Sequence, residues 1–475
     1  MASLGPGSPR AARRPLLVYS TAQRPNTSLQ DFMIENLPAR TPDRALLEDL
    51  YRAAVAAVDP GPAVATALES RGHLAAARGH RLWIVALGKA AIPMAESAVR
   101  VAEHAGLAVT GGLVVAPAPA PAPHPAIPVA VGDHPEPGQG SLAAAAALGQ
   151  LTARIQPGDS VWVLLSGGTT SLVGAPLEGI PHGDLRELYR LLLGSGLDIS
   201  AMNQVRKRFT RWGGGKLAAA LQGASVRQFV VSDVIGDDLP SIGSGPCVPD
   251  PATAAEVRRD LEAAGLWPRL PASLRTLVAE TADGTRPETP KPDHPAFTSV
   301  VTEIVSSNRR AVEAASLRAA ALGLVAQIDP TPLSGEASRA GTSVAATLRN
   351  YSQAPGTQGA ARRCVILGGE TTVTLGRDHG LGGRSQELAL AAARTLAGTS
   401  GISILAAGTD GRDGPTDAAG AIVDGSTWAT ITAAGRDPAA DLARHDAYPA
   451  LAAAGALFRP GLTGTNVMDV VIGVV

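Results

Sequence analysis

One pairing recurs through the first half of the chain and constrains its fold more than any other feature: short apolar runs, most of them stopping at glycine or serine, separated by stretches of helical periodicity. Arg81-Leu-Trp-Ile-Val-Ala-Leu-Gly88 opens the series ahead of an alanine-rich segment, and similar runs follow at 112–116, 160–166 and 228–232. Helical segments fall at about 139–153, 183–194 and 203–222, after others within 41–73. Runs that are apolar on both sides of the pleat need cover on both faces. They read as strands of a mostly parallel α/β sheet packed between helices. Ligands of such open sheets bind beyond the carboxyl ends of the strands, so the residues after each run are the first candidates for chemistry.

At 475 residues the chain exceeds one ordinary core and fits two domains with a cleft between them. Proline and charge dominate 284–297, the strongest linker signal in the sequence. It separates an N-terminal α/β domain, 41–283, from a C-terminal α/β domain, 298–475. In the second domain helices are expected at about 308–322, 335–351 and 384–397, a strand pair at 363–375, and strands at 402–407 and 466–475. Ala-Pro alternation over 116–128 reads as an extended solvated loop. The first 40 residues carry Arg10, Arg13 and Arg14 with no acid before Asp31, which loosely resembles a transit peptide; they read as a flexible extension.

A formal charge of −1 gives no bulk attraction for nucleic acid or anionic lipid, and no run approaches the roughly 18 apolar residues that span a bilayer. The expectation is a soluble cytoplasmic protein that handles a small molecule, with neither nucleic acid nor membrane as partner. Its oligomeric state is left open, a homodimer included. Cys247 and Cys364 lie far apart and lack any zinc-type spacing. Of 41 basic residues only four are lysines, Lys89, Lys207, Lys216 and Lys291, and the first three fall in segments that stand out on other grounds.

Lys89 follows Gly88 at a strand end, where a phosphate-bridging cation fits better than a surface lysine beside a helix N-terminus. Leu165-Ser-Gly-Gly-Thr-Thr-Ser171 can offer backbone amides to a phosphate from Ser166, Gly167 and Gly168; as a tight turn it needs glycine in any case. Asn203-Gln-Val-Arg-Lys-Arg208 is a basic turn that includes Lys207 and steers a nucleotide or simply faces water. Ser232-Asp-Val-Ile-Gly-Asp-Asp238 sets Asp233 at a strand end, suited to Mg2+ or to a substrate proton. In the second domain the candidates are Glu370 in Gly368-Gly-Glu-Thr-Thr372, read as a hairpin, and Arg384 in Gly382-Gly-Arg384. Asp410 follows in the Asp/Gly loop 407–417, and Asn466 precedes the last strand. Neither GxGxxG nor GxxxxGK[ST] occurs in a strand–helix context. A cation, carboxylates and Gly-rich amides converging on one cleft are what phosphoryl transfer requires.

These segments, with Ala86-Leu-Gly-Lys-Ala90, Gly132-Asp-His-Pro135 and Gly464-Thr-Asn466, resemble the class II glycerate 2-kinases over roughly 80–473. The resemblance implies a Rossmann-like three-layer α/β/α N-terminal domain, a smaller α/β domain of MOFRL type, and a site in the cleft between them. It implies ATP and Mg2+ as cofactors and D-glycerate as substrate, phosphorylated to 2-phosphoglycerate. Functional positions carry over to Lys89, Arg384, Asp233, Asp410 and Asn466, with Asp233 and Asp410 the carboxylates for Mg2+ or the proton. Many members have Ser-Gly-Gly-Gly-Ser where this chain has Ser166-Gly-Gly-Thr-Thr-Ser171. The competing readings are an NAD(P)H-dependent hydroxypyruvate reductase, against which the missing GxGxxG argues, and a non-catalytic sensor of sugar acids or nucleotides.

Overall fold

Every residue of β1 (Leu82–Leu87) and β4 (Ser160–Leu165) is buried, as strands covered on both faces must be. They form the centre of a six-stranded parallel sheet with β2 (Val109–Ala116), β3 (Val129–Val131), β5 (Ser225–Val231) and β6 (Val300–Ser306), in the order β3-β2-β1-β4-β5-β6. This is the doubly wound order, and strand succession reverses between β1 and β4. The structure is a computed structural model that describes residues 42–197, 199–353 and 361–475. The flexible extension expected over the first 40 residues lies outside them.

The second sheet has the order β11-β10-β9-β12-β8-β7 and is mixed. Only β7 (Val325–Ile328) and β8 (Arg363–Gly369) run parallel. β9 (Ser403–Gly408), β10 (Gly420–Asp424), β11 (Leu457–Phe458) and β12 (Asp469–Val474) pair antiparallel, and β12 runs antiparallel between β8 and β9. Asp469, the first residue of β12, therefore stands opposite both Gly369 and Gly408, the last residues of β8 and β9.

Two boundaries differ from the sequence reading. The proline-rich stretch does not end the first domain, because β6 lies beyond it and pairs with β5. That stretch is instead fastened to the first domain by Thr289, whose hydroxyl donates to Asp250 (2.8 Å). The helix Pro42–Ala56, assigned from sequence to the N-terminal domain, packs with the helix Asn308–Ala321 and β12, and Tyr51 donates to the Gly408 carbonyl (2.8 Å). The expected hairpin at 363–375 is absent: beyond Gly369 the chain runs beside residues 333–336, and β8 spends its edges on β7 and β12.

One apolar core continues from the first sheet into the second. Ile84, Ala86, Leu164 and Phe229 share it with Leu47, Leu50 and Tyr51 of the first helix, Ala311 and Ala315, and Ile366, Leu405 and Ile472 of the second sheet. Asn308 ties the halves at the polar level, its Nδ2 donating to the carbonyls of Val467 (2.8 Å) and Asp469 (2.9 Å).

Candidate active site

Adjacent strands β1, β4 and β5 end at Lys89, Ser166–Gly168 and Asp233. The turns interlock. The Lys89 N–H donates to Gly167 O (2.9 Å) and the Ala90 N–H to Ser166 Oγ (3.0 Å). A Cβ on Gly88, whose φ is +123°, would lie 2.2 Å from Ser166 Oγ, so only glycine allows this approach. One on Gly167 would lie 1.9 Å from Asp233 Oδ2. Ser166 thus spends its hydroxyl on fixing the turns, with Leu87 O as its own acceptor (3.3 Å). The exposed Lys89 side chain and the His134 ring both flank Gly168. Burial pushes the Asp233 carboxyl above its ordinary value and Lys89 opposes the shift; desolvation and then Lys89 lower His134.

The second sheet presents Glu370, Asp410 and Asp469 at one edge, because β12 starts where β8 and β9 stop. Arg384 opens the helix Arg384–Leu396, an electrostatically poor place for a cation. Two carboxylates hold it there. Its Nε and Nη2 fork onto Asp469 Oδ2 (2.6 Å) and Oδ1 (3.0 Å), and Nη1 pairs with Glu370. Burial opposes the Arg384 charge but the Asp469 bonds outweigh it, raising its pKa; burial also raises Asp469 and Glu370. Asp413 caps the same helix through Ser385 N–H (3.2 Å) and Gln386 N–H (2.8 Å), with burial pushing its carboxyl to about 7. Asp410 Oδ1 accepts from Arg412 N–H (2.9 Å), and Asn466 Oδ1 accepts from Met468 N–H (3.1 Å), which shapes the entry to β12.

These two strand-end groups face one cleft. Glu370 feels the charges of Asp233 and Lys89 across it. One lobe, of about 490 Å³, is lined by His134, Gly168, Tyr189, Arg206, Asp233 and Glu370 among others. A second, of about 510 Å³, has Val312, Ile328, Pro330, Pro332 and Met468 on its walls, with Glu313 and Asp329. The lobes meet at Asp233-Val234 and Gly369-Glu370. Among the described residues no group of three or more His, Cys, Asp or Glu gathers as a metal cage. Mg2+ usually takes one or two carboxylates and completes its shell with waters and substrate phosphates, so separate carboxylates such as Asp233 and Asp410 fit it.

Lys207 is not part of this cleft. Its ammonium is buried against Asp250 Oδ1 (2.9 Å), and the relative exposures of the two side chains are 3% and 0%. Lys216 donates to Lys207 O (2.7 Å) and Lys291 to Asp250 O (3.1 Å), so three of the four lysines surround one carboxylate. Burial brings Lys216 down to about 7. Adjacent residues on a helix diverge by about 100°, which turns Arg206 into the cleft and Lys207 away from it. Lys207→Met is expected to destabilise the fold by about 3–5 kcal/mol, since it strands a buried Asp250. The KM values of active enzyme should not change, and a KM shift without loss of melting temperature would return Lys207 to the site. His134, Arg206 and Asp469 were missed as site residues, although each lies in or beside a segment that the sequence singled out.

A family model described as a domain of unknown function (DUF4147) matches residues 46–279, and the MOFRL family model matches 363–469. The chain is 36% identical to a glycerate 2-kinase of Pyrococcus horikoshii over 89% of this chain and 95% of the relative. It is also 36% identical to a D-glycerate 2-kinase of Thermotoga maritima, over 83% and 91%. An Agrobacterium vitis relative at 36% identity, over 90% and 93%, is provisionally named hydroxypyruvate reductase. The crystal structure of a Thermotoga maritima glycerate kinase superposes with a TM-score of 0.79 at 35% identity, covering 91% of this chain and 99% of that one. With both domain families in order and these relatives matched over nearly their whole length, the chain belongs to the glycerate 2-kinase family.

Proposed function

We propose that the cleft transfers the γ-phosphoryl group of MgATP to the C2 hydroxyl of D-glycerate, giving 2-phosphoglycerate and ADP in the cytoplasm. The observation that supports this reading is that Asp233 and Glu370 line the cleft where two lobes meet, with Lys89 acting on both, Arg384 paired to Glu370 and Asp469, and Asp410 beside Asp469. The proline-walled lobe suits a nucleoside, with Asp329 and Glu313 as acceptors for ribose hydroxyls, and the polar lobe suits the acid. Asp233, whose carboxyl burial makes more basic, accepts the hydroxyl proton as the oxygen bonds to γ-phosphorus and the bond to the β–γ bridging oxygen breaks. Lys89 and Arg384 stabilise charge on the transferring group. Asp410 holds the nucleotide's Mg2+, which neutralises phosphate charge.

Both cysteines are free and buried, as suits a reducing compartment, and no helix among the described residues is long and apolar enough to cross a membrane. A reductase would need room for a dinucleotide pyrophosphate on glycine amides after β1. Here Gly88 is pressed against Ser166 and the next residue is lysine. ADP release should depend on D-glycerate and Mg2+, with 2-phosphoglycerate as product and no change at the nicotinamide absorbance band with hydroxypyruvate. Hydroxypyruvate-dependent NAD(P)H oxidation, or binding of both ligands without turnover, would replace this reading with one of its rivals.

A further inference from the structure

The polar lobe contains two side chains with a buried polar atom that finds no hydrogen-bond partner among the described residues. Tyr189, on the helix His182–Leu193, is 8% exposed, and its hydroxyl has no hydrogen-bond partner. Arg206, on the helix Ile199–Phe209, stacks its guanidinium 4.7 Å from the Tyr189 ring centroid. Its Nε is buried and unpartnered, and among the described residues it forms no ion pair. Arg384, by contrast, is committed to two carboxylates, and Arg309 on the other lobe is exposed to water. A desolvated guanidinium and a buried phenol left bare are both costly, and both costs vanish when an anion enters.

We infer that Arg206 and Tyr189 form the subsite that binds the carboxylate of the hydroxy acid, with Asn203, one helical turn before Arg206, on the same wall. A carboxylate accepts the planar fork of an arginine side-on and takes the phenolic O–H on its remaining lone pair. The lining of this lobe includes Glu136, Asp233 and Glu370 beside Arg206, with Lys89 against Gly168, and those acids repel a polyanionic triphosphate more strongly than a singly charged carboxylate. The inference rests on the proposal that this lobe receives the acid. It adds which atoms recognise it, and predicts that a polyol of the same size is refused.

The test is calorimetric titration of D-glycerate, glycerol and MgATP into the full-length protein and its variants, beside initial rates. Arg206→Met should weaken D-glycerate binding roughly 100-fold and Arg206→Lys, which keeps the charge but loses the fork, roughly 10-fold; MgATP affinity should stay within about threefold. Tyr189→Phe removes a hydroxyl that bonds nothing in the protein, so its melting temperature should hold or rise while D-glycerate binding falls severalfold. That variant keeps the inference testable should Arg206→Met fail to fold. Unchanged D-glycerate affinity in Arg206→Lys and Tyr189→Phe would overturn the subsite. So would a loss confined to MgATP, or glycerol bound as tightly as D-glycerate by the unaltered protein. Arg206-dependent D-glycerate binding in a protein that releases no ADP would instead overturn the kinase reading and leave the subsite standing.

Discussion

Replacing Lys89 with alanine is expected to lower D-glycerate-dependent ADP release roughly a thousandfold while leaving the melting temperature unchanged. The two halves of this expectation have one cause. Among the described residues the Lys89 side chain is exposed and makes no hydrogen bond or ion pair, so the fold loses nothing with it. Yet it stands over Gly168 beside His134, and its charge reaches Asp233 and Glu370 across the cleft. A cation kept without a partner, in a chain that otherwise uses arginine on its surface, is free to take the phosphoryl group as its counter-charge in the proposed reaction. Steady-state rates with saturating MgATP and a melting curve of the same preparation decide it. Activity within tenfold of the unaltered protein would remove Lys89 from the chemistry.

Arg384→Ala should behave differently, losing activity and stability together. Asp469 is buried and accepts two of its hydrogen bonds from this guanidinium, so the truncation leaves a carboxylate in the core of the second sheet with its fork removed. The cost is about 3 kcal/mol, and Glu370 loses its partner as well. The sign of the pH dependence follows from the environment that remains. With Arg384 gone, burial and then the nearby Asp410 charge act unopposed on Asp469 and raise its folded pKa further above the unfolded value. Stability in the variant is then fully present below the unfolded pKa and is lost as pH rises through the raised one, so the gap to the unaltered protein should narrow on acidification. Melting temperatures of both proteins from pH 5 to pH 8 test this. A gap that widens toward low pH would mean that Asp469 is not the group left stranded.

Much of the candidate site was legible because strand, turn and first helical residue are neighbours in sequence. Lys89, Gly167 and Asp233 each follow an apolar run by one or two residues, and Arg384 opens a periodic helix. What could not be read depends on partners distant in the chain. Lys207 belongs to Asp250 rather than to the cleft, and its neighbour Arg206 faces the other way; composition of the turn 203–208 does not distinguish them. The Pro-rich segment 284–297 announces irregular backbone, yet irregular backbone inside a domain looks the same, and here it is stitched to Asp250 before β6 completes the sheet. β10 and β11 escaped notice because the first is five residues long, starts at glycine and follows a loop rich in Asp and Gly, and the second is only two. Asp469 falls inside the terminal strand expected at 466–475 and carries no role there, since its partner Arg384 lies 85 positions away.

The gathering of Lys207, Lys216 and Lys291 around Asp250 has a practical corollary for covalent chemistry. Side-chain amines are scarce in this protein, and Lys89 is the one that stands exposed. Among the four lysines, an amine-directed acylating reagent or an endoproteinase that cleaves after lysine therefore meets Lys89 as the most open target, and Lys89 flanks Gly168 on the wall of the cleft, where MgATP is expected to shield it.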